Sequence, residues 1–326
     1  MIPGGLAGPP TRDVSALGPS VGLRFASVLD GISRLPTLPE VIVQILPLVD
    51  DPAVSADDLA EKIGQDLSLT SSIMRLVNSP FCGLSRRVAT IRDAVILLGS
   101  RTVRNLAFST ALVRTFATGP RELAFRHADL WRHAATCAWA TRFLAQQLRN
   151  AEPEEGFLAG LIHDLGFVVL DQYFQEDFRR IARLIEAGTP LAEAEREVLG
   201  FDHGAVGAAL LERWDFPTVI VDAVATHEAP RGRGEWLPVL VHAAHLLTSE
   251  STEEARWSRI WEARPVPPSS PDEVEALDTM ASQEEPRPMD ALEIDAVTWR
   301  RLRDGFEREW DRTRAFHALL SGGRDA

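Results

Sequence analysis

The sequence predicts an all-α fold, and three observations carry that prediction. From Val21 to about Leu247 apolar residues recur at three- and four-residue spacing, as in "PEVIVQILPLVDD", "SADDLAEKIGQD" and "SLTSSIMRLVNS". That is the period of a helix with one face turned inward. Few stretches alternate with period two, so no sheet is expected. Residues that start and stop helices also stand where the pattern starts and stops.

The elements follow in order. Residues 1–20 are rich in Gly and Pro without periodicity and are expected to be disordered. Ser55, ahead of "ADDLAEKI", reads as an N-cap with acids in the first turn, and Ser68 as the cap of the next helix. Gly99 suits the C-terminal end of "IRDAVILLG". "LWRHAATCAWATRFL" is a strongly periodic helix. Pro153 to Val169 reads as one helix with Pro153, Glu154 and Glu155 in its first turn. Asp202 reads as the N-cap of "HGAVGAALLERW", and "TVIVDAVATHEAP" ends just before Pro230. Residues 248–293, dense in Pro, Ser and Glu after Ala263, are expected to be a mobile linker. Residues 294–326 are expected to form a C-terminal helix. Its amphipathic part, about Asp295 to Leu320, carries Val297, Leu302, Phe306, Trp310 and Phe316 and should pack back on the domain.

Bulk composition narrows the function classes. The 326 residues are 45% hydrophobic and 25% charged, ordinary for a globular protein with a sizeable core. No run approaches the roughly 20 apolar residues of a membrane span, so no membrane insertion is expected. The start lacks the basic and apolar regions of a signal peptide, and Cys82 and Cys137 are too few for a disulfide framework; a cytoplasmic location is the expectation. A net charge of −13 argues against nucleic acid as a partner. Charge is nonetheless uneven. Between Ser85 and Arg121 seven arginines (Arg86, Arg87, Arg92, Arg101, Arg104, Arg114, Arg121) face one acid, Asp93. Arginine stands in for lysine throughout, since Lys62 is the only lysine, and that alone gives a solvated face. The sharper reading is a surface on which Arg101, Arg104, Arg114 and Arg121 dock an acidic protein partner.

The chemistry-bearing feature is "GLIHDLG", where His163 and Asp164 interrupt an apolar run. On a continuous helix the apolar residues cover an arc of about 140° at 100° per residue. Ala159, Gly160, His163, Asp164 and Gly166 fall on the remainder. Small residues there let another backbone or a ligand come close, so the pair should line a crevice. A buried carboxylate without partners is costly, so partners are required. His133, His203, His227, and His242 with His245 three residues on, are the available imidazoles. His203, at a helix N-terminus, should stay neutral as a metal ligand must. A single histidine on an apolar helix is usually a hydrogen-bonded core residue, and Cys137, four after His133, reads as core. Several histidines with Asp164 on consecutive helices point instead to one or two divalent transition ions, with Zn, Mn, Fe and Ni all suited to such N/O donors.

The chain resembles the HDOD family, a relative of the HD-domain metal-dependent phosphohydrolases. The motifs run in order: "LPTLPEVIVQIL", "SADDLAEKIGQDLSLTSSIMRLVNSPFCGL", "TIRDAVILLGSRTVRNLAF", "LWRHAATCA", "FLAGLIHDLG" and "VLGFDHGAVGAALLERWDFPTVIVDAVATHEAP". They cover about residues 35–233, with "QDLSLT" departing from the Asp-Pro usual there. The resemblance implies an all-α HDOD domain over residues 21–247. Within it an N-terminal helical subdomain (21–120) packs on an HD-like one (121–247), followed by the C-terminal helical extension. It implies that His133 matches the first HD histidine, His163 and Asp164 the adjacent pair, and His203 and His227 the extra histidines of bimetallic relatives. His245 stands where a late aspartate is usual, so the centre is a degenerate HD site and no catalytic residue is assigned. The element Gly-Tyr-Pro of the HD-GYP cyclic-di-GMP phosphodiesterases is absent, since Tyr173 is the only tyrosine. The function implied is that of a bacterial signal-transduction protein, a non-catalytic module binding a protein partner or small ligand. The alternative is a metal-dependent phosphohydrolase.

Overall fold

The computed structural model describes residue 25 and residues 38–51, 53–79, 82–116, 127–189, 191–230, 235–249, 292 and 294–320. The expectations for residues 1–20, for nearly all of the linker, and for Arg121 lie outside these. Among the described residues the chain is all-α, with no strand. In chain order the helices are α1 (Glu40–Ile45), α2 (Ala56–Gly64), α3 (Leu67–Val77), α4 (Ile91–Leu98) and α5 (Ser100–Phe116). A second series follows: α6 (His127–Leu148), α7 (Pro153–Ile162), α8 (Leu165–Tyr173), α9 (Gln175–Glu186) and α10 (Leu191–Val198). Then come α11 (His203–Arg213), α12 (Thr218–Thr226), α13 (Trp236–Ser249) and α14 (Ala296–Leu320). No single helix among them is long and apolar enough to cross a membrane.

Local chemistry accounts for most boundaries. Ser55 caps α2 in a reciprocal box with Asp58, whose carboxylate accepts from the Ser55 backbone N–H at 2.8 Å. Asp66, rather than Ser68, caps α3, its carboxylate accepting from Leu69 N at 2.9 Å. Gly99 closes α4 with φ of 87°, a conformation that side chains resist. Asp202 caps α11 through Ala205 N at 2.8 Å.

One hydrophobic core runs from Leu38 to Phe306 without a gap between the two series of helices. The link is α5, whose residues Thr102 to Leu112 are all buried and which packs on both α3 and α7. Asn105 on α5 donates to the Glu154 carbonyl (2.9 Å) and carboxylate (3.0 Å), and Arg142 of α6 pairs with that carboxylate at 2.9 Å. Around α7 stand α5, α6, α12 and α13. Every residue from Gly156 to Ile162 is therefore buried, and the expected polar arc becomes an inter-helix contact. Helix α14 packs on α6 through Trp299, Leu302 and Phe306, with Phe306 against Phe143 at 5.9 Å between ring centres. Val297 instead faces solvent at 61% exposure, because at 100° per residue it falls on the side of α14 opposite Trp299. The side chains of Trp310 and Phe316 lie outside the described residues.

The arginine row needs correcting. Arg104 does not share an outward face with Arg101: it is 7% exposed, and its Nε donates to Asn105 at 3.2 Å. The cause is α5 itself, buried on every side at that level. Arg101 lies 3.4 Å from Glu152, Arg114 3.9 Å from Asp66, and Arg92 2.6 Å from Asp57.

Candidate metal centre

The HD dipeptide sits at a break rather than mid-helix. Helix α7 ends at Ile162, Asp164 leaves helical geometry (φ −94°, ψ 12°), and α8 restarts at Leu165. This turn aims the Asp164 carboxylate into the space between helices. Two glycines allow the approach. A Cβ on Gly160 would lie 2.6 Å from the Cys137 carbonyl of α6, and one on Gly166 would collide with the His203 carbonyl of α11. The small residues of "GLIHDLG" do admit other backbones, as their composition predicts.

Four imidazole Nε2 atoms surround the carboxylate. His133 (3.5 Å) and His163 (3.2 Å) face Oδ2, while His203 (3.4 Å) and His227 (3.7 Å) face Oδ1. Backbone or carboxylate partners hold the other nitrogen of three of these rings. His163 Nδ1 bonds Gly160 O at 2.8 Å, His227 Nδ1 bonds Val224 O at 2.7 Å, and His203 Nδ1 lies 3.0 Å from both Glu195 oxygens. A donor bond at Nδ1 selects the tautomer whose Nε2 lone pair is free for a cation. Phe167 stacks on His203 at 3.9 Å and 18°, fixing its ring plane. His245, from α13, meets the rings of His133 (5.0 Å) and His163 (5.7 Å). His242, one turn earlier, points elsewhere and bonds the His227 carbonyl at 2.8 Å.

Electrostatics follow from packing charges into a dry interior. Burial opposes ionisation of Asp164, but His163, His203 and His227 outweigh it and hold its carboxyl well below the usual range. Burial, reinforced by His245, pushes His133 down to about 3. His203 runs against the expectation of neutrality. Burial disfavours its charge, yet the carboxylates of Glu195 and Asp164 raise it well above the ordinary imidazole value. The helix N-terminus is outweighed because a carboxylate at 3.0 Å acts at far closer range than a dipole end. His227 is likewise raised to about 9, with Asp164 and Glu228 overcoming burial.

The donor set fits a cation. His163 Nε2 and Asp164 Oδ1 are buried without a hydrogen bond of acceptable geometry, and such groups are uncommon in finished cores. Three groups of donor atoms lie within 4.8 Å of one another: His133, Cys137, His163 and His245; His163, Asp164 and His227; and His203, His227 and Glu228. Asp164 lies between the first and last of these. A cation would supply the positive charge that the buried carboxylates draw from protonated imidazoles in its absence.

All six histidine and aspartate candidates therefore meet in one place, and three further residues join them. Cys137 reads as core from sequence but shares the cluster. Glu228 adjoins His227 at 3.2 Å between side chains. Glu195 orients His203, and it had a legible signal: it shares the buried stripe of α10 with Ala194 and Val198, while Glu193, Arg196 and Glu197 face out. A carboxylate in an apolar stripe calls for a partner.

The domain is thus all-helical and gathers four imidazoles about an aspartate at a helix break, with a fifth, His245, beside two of them. The chain belongs to the HDOD family, whose family model, HDOD domain, matches residues 35–230. A crystal structure of an HDOD domain protein of unknown function from Geobacter sulfurreducens superposes with a TM-score of 0.71 at 26% identity, covering 94% of this chain and 99% of that one. A candidate phosphohydrolase of Shewanella amazonensis shares the fold with a TM-score of 0.68 at 24% identity, over 90% and 98% of the two chains. An uncharacterized protein of Treponema pallidum is 28% identical over 222 residues, 66% of this chain. The match spans 42% of that relative's length.

Proposed function

We propose that this chain is a regulatory HDOD module in signal transduction, whose histidine centre holds metal without hydrolysing phosphate esters. The observation that carries this reading is burial of the donors. His133, His163, Asp164, His203 and His227 are all buried, and among the described residues the cluster nears the surface only at His245 and Glu228. Metal-assisted hydrolysis needs an open coordination position that water and a phosphoryl oxygen can both reach. The absent Gly-Tyr-Pro element and His245 at the late aspartate position support the same reading. One observation favours a phosphohydrolase instead: the group His203, His227 and Glu228 offers three donors, and Glu228 is 33% exposed. Zn, Mn, Fe and Ni remain the ions to test. Protein purified without a histidine tag and loaded with each ion in turn should turn over cyclic-di-GMP and p-nitrophenyl phosphate more slowly than about 0.1 per second, against an enzyme median of roughly 10. A faster, metal-dependent rate on either ester establishes the phosphohydrolase.

The partner surface we assign to a groove of about 1110 Å³ between α3 and residues 84–89. One face of α3 (Ser71, Met74, Arg75) and its C-cap Asn78 form a wall, and Arg86 and Arg87 line the other side. Asn78 pins the two together, accepting from Val88 N at 2.7 Å and donating to Val88 O at 2.9 Å. Among the described residues no acid lines the groove, and neither Arg86 nor Arg87 pairs with one. In a chain of net charge −13 this favours an acidic segment of a protein partner, held two-point by guanidinium groups. A labelled glutamate-rich peptide should bind with an on-rate that falls as salt rises. Arg86→Glu with Arg87→Glu should weaken it about tenfold or more without changing thermal stability. Equal binding by wild type and double variant would return the arginines to the status of a solvated face.

A further inference from the structure

We propose that Cys137 is a metal ligand, completing with His133, His163 and His245 a closed sulfur-containing site for zinc. The proposal rests on reading the histidine cluster as a metal centre and goes beyond it by naming a donor and an ion. Helix α6 places His133 and Cys137 four residues apart on one face, with Sγ 3.5 Å from His133 Nε2. The end of α7 brings His163 and α13 brings His245, so four helix-borne donors lie within 4.8 Å of one another. A zinc ion bound at about 2.0–2.1 Å to nitrogen and 2.3 Å to sulfur has tetrahedral edges of about 3.3–3.6 Å, which the His133–Cys137 separation already meets.

A second observation points to a ligand independently of the cysteine. His163 Nε2 is fully buried, lies within reach of this group and faces Asp164 Oδ2 at 3.2 Å without hydrogen-bond geometry, while its Nδ1 is bonded to a carbonyl. The competing account is that Cys137 fills space as a small apolar residue beside His133. That account leaves His163 Nε2, beside a carboxylate yet without a hydrogen bond, unexplained. Metal binding would release the thiol proton to solvent and leave a thiolate as the fourth donor. Four protein donors leave no position for water, the pattern of a structural rather than a hydrolytic zinc site. A thiolate also shifts preference away from manganese and toward zinc. The site would then brace α6, α7 and α13 against one another around Asp164.

The test uses the full chain, stripped of metal by a chelator and reloaded with Co²⁺ as a spectroscopic stand-in for zinc. Wild type should show intense tetrahedral visible bands together with a near-ultraviolet sulfur-to-cobalt charge-transfer band. Cys137→Ser should lose the charge-transfer band and bind zinc about tenfold or more weakly, since even outer partners of a site cost ten- to a hundredfold. Cys82→Ser should keep both. Visible bands without a charge-transfer band in wild type, or a band that survives Cys137→Ser, overturns the cysteine proposal while leaving a histidine centre. Failure of wild type to take up cobalt or zinc at all overturns both readings. Should Cys137→Ser fail to fold, X-ray absorption at the zinc edge of wild type decides alone: one sulfur at about 2.3 Å supports the proposal, and a shell of nitrogen and oxygen only overturns it.

Discussion

Gly166→Ala is expected to destabilise the protein by about 3 kcal/mol or more, the upper end of what overpacking costs. The new methyl would collide with the His203 carbonyl and lie 3.0 Å from the Gly207 amide. Both are backbone atoms of α11, so no side chain can swing aside. Nor can α11 retreat cheaply. Asp202 caps its N-terminus, Glu195 holds the His203 ring, and Val206, Leu210 and Leu211 are buried in the core. At roughly 2–4 °C per kcal/mol for a domain of this order of size, Tm should fall by about 6–12 °C. Any α11 that does shift carries His203 with it, so metal content should fall in parallel. Gly64→Ala is the control. Gly64 is exposed at the end of α2 with nothing within 4 Å of the added Cβ, and the change should be neutral or stabilise by up to about 1 kcal/mol. Equal melting temperatures for the two variants would show that the α8–α11 contact is not the constraint described.

How far the sequence discloses this site depends on the range of the signal. Helices declare themselves locally, by the spacing of Leu69, Ile73 and Leu76 or by Ser55 and Asp202 at caps. The helix break at His163–Asp164 does not. Its residues keep a helical period across the turn, and only the neighbours pressing on α7 from four sides decide that Asp164 must leave the helix. Burial of Arg104 escapes for a related reason: it follows from α5 being enclosed by two sets of helices, a property of assembly that its own sequence lacks. The imidazoles were legible as candidates because each is rare and each stands in a recognisable motif. Cys137 was not, since one apolar-looking residue on an apolar helix carries no sign of what faces it. The polarity of the groove at Arg86 and Arg87 is visible as charge. That Arg86 and Arg87, unlike Arg101 beside Glu152, pair with no acid among the described residues is a matter of three-dimensional pairing.

Asp164→Asn should reduce metal content from near-stoichiometric to below about a tenth. The substitution preserves shape and volume, so its effect isolates the charge. Asp164 alone presents oxygens to both halves of the cluster, Oδ2 toward His133 and His163 and Oδ1 toward His203 and His227. An amide offers one weak oxygen and directs an NH₂ at the other pair of rings. It also removes the negative charge that offsets the protonated rings, and breaking a buried charged set from one side costs about 3–5 kcal/mol. The metal-free variant should therefore melt below metal-free wild type. Metal should raise the Tm of wild type, since a ligand that binds only the folded state stabilises it, and should leave the variant unmoved. His242→Gln provides the contrast, because His242 bonds the His227 carbonyl from outside the donor groups and its loss should leave metal content above half. Metal analysis of the three proteins, with melting curves before and after chelation, reads all of these outcomes. Near-stoichiometric metal in Asp164→Asn would mean that the carboxylate serves only as a counter-charge to the imidazoles, and the metal-centre reading would then have to stand on the histidines and Cys137 without it.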